Sequence, residues 1–136
     1  MDKNIFNLNG KVALITGGAG LLAVEFAIVL SEYGAKVILA DLDIDECNSK
    51  VKGLHNKDIY PVKLDVTSKE EWDKVACDIY EKHGSLDILV NSAAYTNKTK
   101  NSSFSNTFEN TTLESWNQML NVNLTGSFLG CQSVAK

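Results

Sequence analysis

Apolar runs and helical patterns alternate along the chain. Four apolar runs have the length of strands and lie at residues 11–16, 36–40, 59–64 and 86–90. Continuous apolar runs of this kind are typical of parallel strands that are covered on both faces. The segments between them have helical spacing, which gives the order βαβαβαβα. Because strand–helix–strand crossovers are right-handed, this order predicts an α/β fold with a doubly wound parallel sheet of about four strands.

The four predicted helices cover residues 21–33, 43–52, 68–82 and 111–136. In the first, Leu22, Phe26, Val29 and Leu30 have the spacing of one helix face, and Gly34 is a stop signal.

Capping signals mark the start of the two later helices. Ser68 with Glu71, and Thr111 with Glu114, have the spacing of capping boxes, and Gly84 ends the third helix. The fourth helix carries an apolar face made of Leu113, Trp116, Leu120, Leu124, Phe128 and Cys131.

A polar insertion follows the fourth strand at residues 96–111, where Phe104 and Phe108 lie among Asn, Ser, Thr and Lys. Loops between a strand and a helix usually have about 2 to 6 residues. One interpretation is a surface insertion. The other is a loop that covers a substrate, since such sheets bind ligands at the carboxyl ends of their strands.

Composition narrows the class of protein. The 136 residues suit a single domain, and the net charge of -4 provides no basic field for nucleic acid or an anionic membrane. Three Cys without a CxxC spacing and two His favour reduced, partly buried thiols and no metal site. The first ten residues lack the apolar stretch of a signal peptide, and no run approaches the roughly 20 apolar residues of a membrane span. We therefore expect a cytoplasmic protein.

The glycine-rich segment at residues 16–23, TGGAGLLA, joins the first strand to the first helix. A bound pyrophosphate needs a tight turn, which suits Gly17, and a close backbone approach, which suits Gly20. It also needs a small residue where the helix packs on the strand, which suits Ala23. The free N–H groups of the helix start then bind the anion. The alternative is a strand-to-helix turn without a ligand.

An acidic residue at the end of the second strand strengthens the dinucleotide interpretation. Asp41 lies 21 residues after Gly20, where a carboxylate can accept hydrogen bonds from the ribose hydroxyls. It would also repel a 2′-phosphate, so the sequence favours NAD over NADP as the cofactor. The alternative interpretation of Asp41 is a turn or helix-capping aspartate. Together, the loop and the acid predict a Rossmann-like fold.

From about residue 11 onward, the sequence resembles the short-chain dehydrogenase/reductase family. The loop is similar to the family's TGxxGxxG turn, and Asp65-Val66 is similar to its adenine-contacting pair. Residues 91–94 (NSAA) resemble its NNAG motif, and Asn123 resembles its helix-four asparagine. The chain departs from the pattern at Ala23, Ser92 and Ala94. The loop variant also resembles members encoded with bacterial surface-sugar or flagellin-modification genes.

The resemblance implies a set of functional residues. Cofactor contacts are expected at Gly17, Gly20, Leu21, Leu22, Asp41, Leu42, Asp65, Val66, Asn91, Ala93 and Ala94. Asn123 is the catalytic candidate, because in the family this Asn holds a water in a proton relay to a catalytic Lys. The pattern places Asn123 on a buried helix face, so a structural Asn bonded to neighbouring backbone is the alternative.

The family's chemistry also needs a Ser and a Tyr followed four residues later by Lys. None of the four Tyr in these residues has that spacing, so the chain is expected to be a C-terminally truncated single domain without turnover. A fourth strand at the sheet edge and an uncovered helix face would favour a homo-oligomer through residues 111–136.

Three hypotheses for the function remain open. The first is an NAD-dependent oxidoreductase that acts on an alcohol, carbonyl or sugar substrate. The second is a non-catalytic nucleotide-binding or regulatory protein with a Rossmann fold. The third is an oligomerising structural fragment that binds no nucleotide.

Overall fold

The fold is a four-stranded parallel sheet with helices on both faces, seen in a computed structural model that describes residues 3–54, 58–95 and 107–135. The strands are β1 (Val12–Thr16), β2 (Lys36–Asp41), β3 (Ile59–Lys63) and β4 (Ile88–Val90), in the order β3-β2-β1-β4. All three strand pairs are parallel, so the predicted α/β class and sheet are confirmed. Within the described residues β4 pairs only with β1, which leaves it at the predicted sheet edge.

The helices follow the strands in the predicted alternation. They are α1 (Leu21–Glu32), α2 (Ile44–Lys52), α3 (Lys69–His83), α4 (Leu113–Leu120) and α5 (Gly126–Val134), with a π-helical turn (Asn121–Thr125) between the last two. Short 3-10 turns lie at Lys3–Phe6 and Phe108–Asn110. No helix in these described stretches combines the length and apolarity that crossing a membrane requires.

Two apolar clusters cover the two faces of the sheet. Alternate strand residues point to opposite faces, so Ala13, Val37 and Leu39 pack with α1 and α2 in one cluster. Leu14 and Ile38 pack with α3 in the other. Burying both faces explains why the strands read as continuous apolar runs, and it leaves the carboxyl ends of the strands along one common edge.

The face of α1 that contacts the sheet agrees only in part with the predicted apolar face, because Leu30 packs against the core cluster and the other three residues do not. Ala23 and Ala27 are buried, whereas Leu22, Phe26 and Val29 are exposed at 67%, 42% and 49%. Small side chains allow the helix backbone to approach the sheet closely, which places the larger residues on the outer surface.

The last helical segment differs from its sequence pattern in two further ways. Its cap is Thr112, whose side chain accepts the Ser115 N–H, so the capping box at Thr111 and Glu114 was wrong by one residue. The π-helical turn also interrupts the predicted continuous helix, and such turns are frequent at functional sites.

The apolar face of this segment is exposed, which agrees with the expected uncovered helix face. Leu113, Leu124 and Phe128 are 68%, 64% and 60% exposed, while Gly126 and Gly130 are buried. A Cβ on Gly130 would lie 2.7 Å from the Trp72 ring, so the glycine face is the one that can pack against α3.

Two other expectations are tested only in part. Cys47 is buried, but Cys77 and Cys131 are exposed, so the prediction of partly buried thiols was wrong for these two. Most of the insertion at 96–111, including Phe104, lies outside the described residues, and Phe108 is 89% exposed.

Candidate functional site

The turn after β1 requires glycine for two separate reasons. Gly17 has φ 75°, a left-handed conformation that side chains with a Cβ rarely adopt. A Cβ at this position would also lie 2.8 Å from the carbonyl oxygen of Ser92. The tight turn therefore brings the β1 end against the segment that follows β4.

Gly18 is a second constrained position, to which the sequence pattern alone assigned no role. A Cβ there would lie 2.7 Å from Leu39 Cγ and 2.9 Å from Cys47 Sγ, and the Gly18 N–H donates to the Ala40 carbonyl at 2.9 Å. The signal available in the sequence was the adjacent pair of glycines.

Gly20 opens α1 without a side-chain cap. The first N–H groups of a helix have no partner within the helix, and together with the helix dipole they favour an anion. Gly20 has no Cβ to obstruct that end of the helix, and Ala23 is buried against the sheet as its predicted packing role requires. A helix start of this kind is suited to binding an anion such as a phosphate group.

Asp41 ties this turn to the end of β2. Its Oδ2 accepts the Ala19 N–H and its Oδ1 accepts the Asp43 N–H, both at 2.9 Å. These bonds agree with the turn interpretation of Asp41. Each carboxylate oxygen can accept a further hydrogen bond, so the same side chain can still bind ribose hydroxyls.

The end of β3 is held by side chains of α3. Glu71 accepts the Asp65 N–H at 2.7 Å, and the Trp72 indole donates to the Val66 carbonyl at 3.0 Å. Ser68 caps α3 as predicted, but Glu71 bonds Asp65 instead of completing the box. These contacts with α3 therefore fix the position of the Asp65-Val66 pair.

The segment after β4 is anchored by Thr16, a residue that was not among the predicted site residues. Thr16 Oγ1 accepts the N–H groups of Ser92 and Ala93, both at 3.1 Å. These bonds use the backbone, so they do not depend on the side chains that depart from NNAG. The Asn91 amide instead contacts Cys131 Sγ at 3.6 Å, which directs this side chain toward α5.

Asn123 lies in the π-helical turn and is exposed, so its predicted burial was wrong. Its Oδ1 accepts the Tyr95 N–H at 2.7 Å, and its Nδ2 donates to the Tyr95 carbonyl at 3.2 Å. Asn123 thus holds the backbone just beyond the Ser92-Ala93-Ala94 segment, which agrees with the structural alternative, and its catalytic role stays a prediction.

These elements enclose a cleft of about 600 Å³ at the carboxyl edge of the sheet. Seven predicted cofactor residues line it, namely Gly17, Asp41, Leu42, Asp65, Val66, Ala93 and Ala94. The lining does not include Gly20, Leu21, Leu22, Asn91 or Asn123, although Tyr95 and Val122, beside Asn123, belong to it.

The cleft is acidic. Four aspartates line it, at positions 41, 43, 45 and 65, against a single cation among its described lining residues, Lys63. A further phosphate group, in addition to one bound at the glycine turn, would be repelled by these carboxylates.

A parallel sheet with a glycine turn at its carboxyl edge defines a Rossmann-like fold. The short chain dehydrogenase family matches residues 11–136, and the chain belongs to that family. This finding confirms the family resemblance, while the surface-sugar subgroup stays a prediction.

Three similar proteins illustrate the relationship. The chain is 35% identical over 128 residues to 2,5-dichloro-2,5-cyclohexadiene-1,4-diol dehydrogenase of Sphingobium indicum, covering 93% of this chain and 48% of that protein. It is 35% identical to galactitol 2-dehydrogenase of Agrobacterium fabrum, covering 94% and 47%. The Pseudomonas aeruginosa RhlG/NADP active-site complex superposes with a TM-score of 0.83 at 27% identity, covering 96% and 48%. The chain therefore spans about half the length of the curated relatives it matches.

Proposed function

We propose that this chain forms the cofactor-binding part of an NAD-dependent oxidoreductase that acts on an alcohol or carbonyl group. The observation that carries the proposal is the cleft at the carboxyl edge of the sheet, which brings together the Gly17 turn, Asp41 and the Asp65-Val66 pair. The turn would hold the pyrophosphate, Asp41 the ribose, and Asp65-Val66 the adenine. Hydride exchange is the chemistry that the bound nicotinamide would supply.

The acidity of the cleft supports NAD rather than NADP. Asp41 lies where the adenosine ribose would bind, and three further aspartates line the same cleft. A 2′-phosphate would add about two negative charges close to these carboxylates and would be repelled by them. The RhlG complex contains NADP, so a protein of this fold can bind the 2′-phosphorylated cofactor, and we expect these aspartates to decide the choice in this chain.

A sugar or polyol is our narrower proposal for the substrate. The relative from Agrobacterium fabrum is named for galactitol, a polyol, and the relative from Sphingobium indicum for a cyclic diol. The TGGAGLLA loop, which resembles that of surface-sugar enzymes, also favours a sugar substrate.

Turnover is not expected from these 136 residues alone. Tyr33, Tyr60, Tyr80 and Tyr95 all lack a Lys four residues later. A phenol with a pKa near 10 is a poor acid–base catalyst at neutral pH without a nearby cation. Asn123 would contribute by positioning the backbone at Tyr95, and residues 111–136, with their exposed apolar face, would mediate homo-oligomerisation.

Calorimetric titration with NAD and with NADP tests the cofactor proposal. We expect NAD to bind more tightly, and we expect Asp41→Asn to narrow or reverse the preference because it removes one charge. Asn keeps an oxygen that can accept one of the two backbone bonds, whereas Ala would release the glycine turn. Asp58→Asn is the matched control, because exposed Asp58 precedes β3 at the opposite edge of the sheet.

The possible results separate the three hypotheses. Failure of the folded chain to bind either nucleotide would refute the proposal and favour a structural fragment. Nucleotide binding without oxidoreductase activity in any longer chain that contains these residues would favour a regulatory protein. An equal effect of Asp58→Asn and Asp41→Asn would assign the preference to net charge rather than to the ribose site.

A further inference from the structure

Lys63 lies beside Asp41 in the sheet. It is the last residue of β3, and its Cα is the register partner of Asp41 in the parallel pair. Adjacent strands are about 4.8 Å apart, so the two side chains start from neighbouring positions.

The two side chains also point to the same face of the sheet. Leu39, two residues before Asp41, and Ile59, four residues before Lys63, belong to the same apolar cluster. Because strand side chains alternate between faces, Asp41 and Lys63 share that face too. Both residues line the cleft.

The Lys63 side chain is available to a ligand. Lys63 is exposed, and the ion pairs among the described residues use Lys11, Lys50 and Lys69 instead. The Asp41 oxygens already accept two backbone N–H groups, so Asp41 is held in place without an ion pair to Lys63. The cleft thus has a fixed carboxylate next to an uncommitted ammonium.

We propose that Lys63 is a second determinant of cofactor choice, whose ammonium binds a phosphate on the adenosine ribose and limits how strongly Asp41 excludes NADP. This inference rests on the proposed cofactor site. Asp41 and Lys63 act on the same ribose substituent with opposite sign, since the carboxylate repels a 2′-phosphate that the ammonium attracts. The balance between them sets the degree of discrimination, and neither residue sets it alone.

Two ligands that differ by one phosphate isolate this effect. AMP and adenosine 2′,5′-bisphosphate share the adenosine and the 5′-phosphate, and only the second carries the 2′-phosphate. For Lys63→Met, which retains an apolar side chain of similar length, we expect the ratio of the bisphosphate Kd to the AMP Kd to rise about threefold to tenfold. The effect should shrink as salt is added, because exposed charges are screened.

The matched control is Lys74→Met. Lys74 is an exposed lysine of α3, outside the cleft lining, so this variant makes the same change in net charge without changing the site. We expect its Kd ratio to equal that of the unmodified chain.

A double variant tests whether the two side chains share a ligand group. Asp41→Asn should lower the Kd ratio strongly when Lys63 is present, and less when it is combined with Lys63→Met. Such non-additivity is expected only for residues that act on the same group.

The outcomes distinguish this inference from the proposed function. If AMP and NAD bind but Lys63→Met leaves the Kd ratio unchanged, the role of Lys63 is refuted and the cofactor site stands. If Lys74→Met changes the ratio as much as Lys63→Met, the effect is one of net charge and the inference fails. If neither AMP nor NAD binds to the folded chain, both proposals fail.

Discussion

Replacing Thr16 with Val would test whether the Thr16 hydroxyl holds the segment after β4, part of which lines the cleft. Thr16 is 1% exposed, and its hydroxyl accepts the N–H groups of Ser92 and Ala93 at 3.1 Å. Val has nearly the same shape but no acceptor, so Thr16→Val would leave two amides without their partner while the packing of β1 is largely preserved.

The expected loss of stability follows from these two bonds. An amide left without its partner costs about 1–3 kcal/mol when it is buried. Ser92 and Ala93 are only partly buried, so water can reach them in part and the low end of the range applies. We therefore expect Thr16→Val to lower the free energy of unfolding by about 2 kcal/mol, a large part of the 5–15 kcal/mol typical of a domain.

Urea denaturation measures this loss, and amide hydrogen exchange localises it. Thr16→Ser is the matched control, because it keeps the hydroxyl and removes only a methyl group, at a cost of about 1 kcal/mol. In the Val variant we expect faster exchange at Ser92 and Ala93 and weaker NAD binding, since Ala93 lines the cleft. The Ser variant should retain slow exchange at both amides.

The predicted role of the Thr16 hydroxyl would be refuted if Thr16→Val were as stable as the unmodified chain, or if Thr16→Ser were the more damaging change. Either result would mean that packing of the Thr16 methyl group, rather than its hydroxyl, holds the segment after β4.

Three further predictions follow from the same structure. Gly17→Ala should cost about 2 kcal/mol more than Gly10→Ala in urea denaturation, because both glycines have positive φ but only at Gly17 would the added Cβ meet backbone. Hydrogen bonds from the Lys11 ammonium, and then from backbone and Ser, lower the pKa of Asp87 from 3.8 to about 2. Its contribution to stability is therefore fully present above pH 3.8 and is lost as the pH falls through about 2, so Asp87→Asn should lower the Tm at pH 7 and lower it much less at pH 2. Burial, together with the negative charges of Asp41 and Asp43, raises the pKa of the Cys47 thiol to about 11. Iodoacetamide at pH 8 should therefore alkylate only the two exposed cysteines before denaturation, and mass spectrometry would detect this difference.

Each of these predictions has a result that contradicts it. Equal losses for Gly17→Ala and Gly10→Ala would mean that the Ser92 segment moves aside at little cost. A Tm difference for Asp87→Asn that persists unchanged at pH 2 would assign the effect to packing rather than to charge. Rapid alkylation of Cys47 in the native chain would mean that α2 opens readily from the sheet.

The elements of the fold, and several of the residues that line the candidate cleft, could be predicted from local patterns. The strands, the glycine turn and the position of Asp41 depend on runs of apolar residues and on conformational limits within a few residues. Ser68 and Gly84 were correctly identified as the ends of α3 for the same reason. Thr111 was wrong by one position because Thr112, beside it, is an equally good capping residue.

The sequence by itself thus determined the order of strands and helices, the parallel sheet and the turn at the end of β1. Only the tertiary structure decided which helix faces are buried, because a close approach favours Ala23 and Gly130 over larger apolar neighbours. It also decided the contacts of Thr16 with Ser92, across 76 residues, and of Asn123 with Tyr95, across 28. Local patterns specify the conformation of each segment, whereas such contacts depend on how distant segments meet, and their partners are not encoded at any fixed spacing.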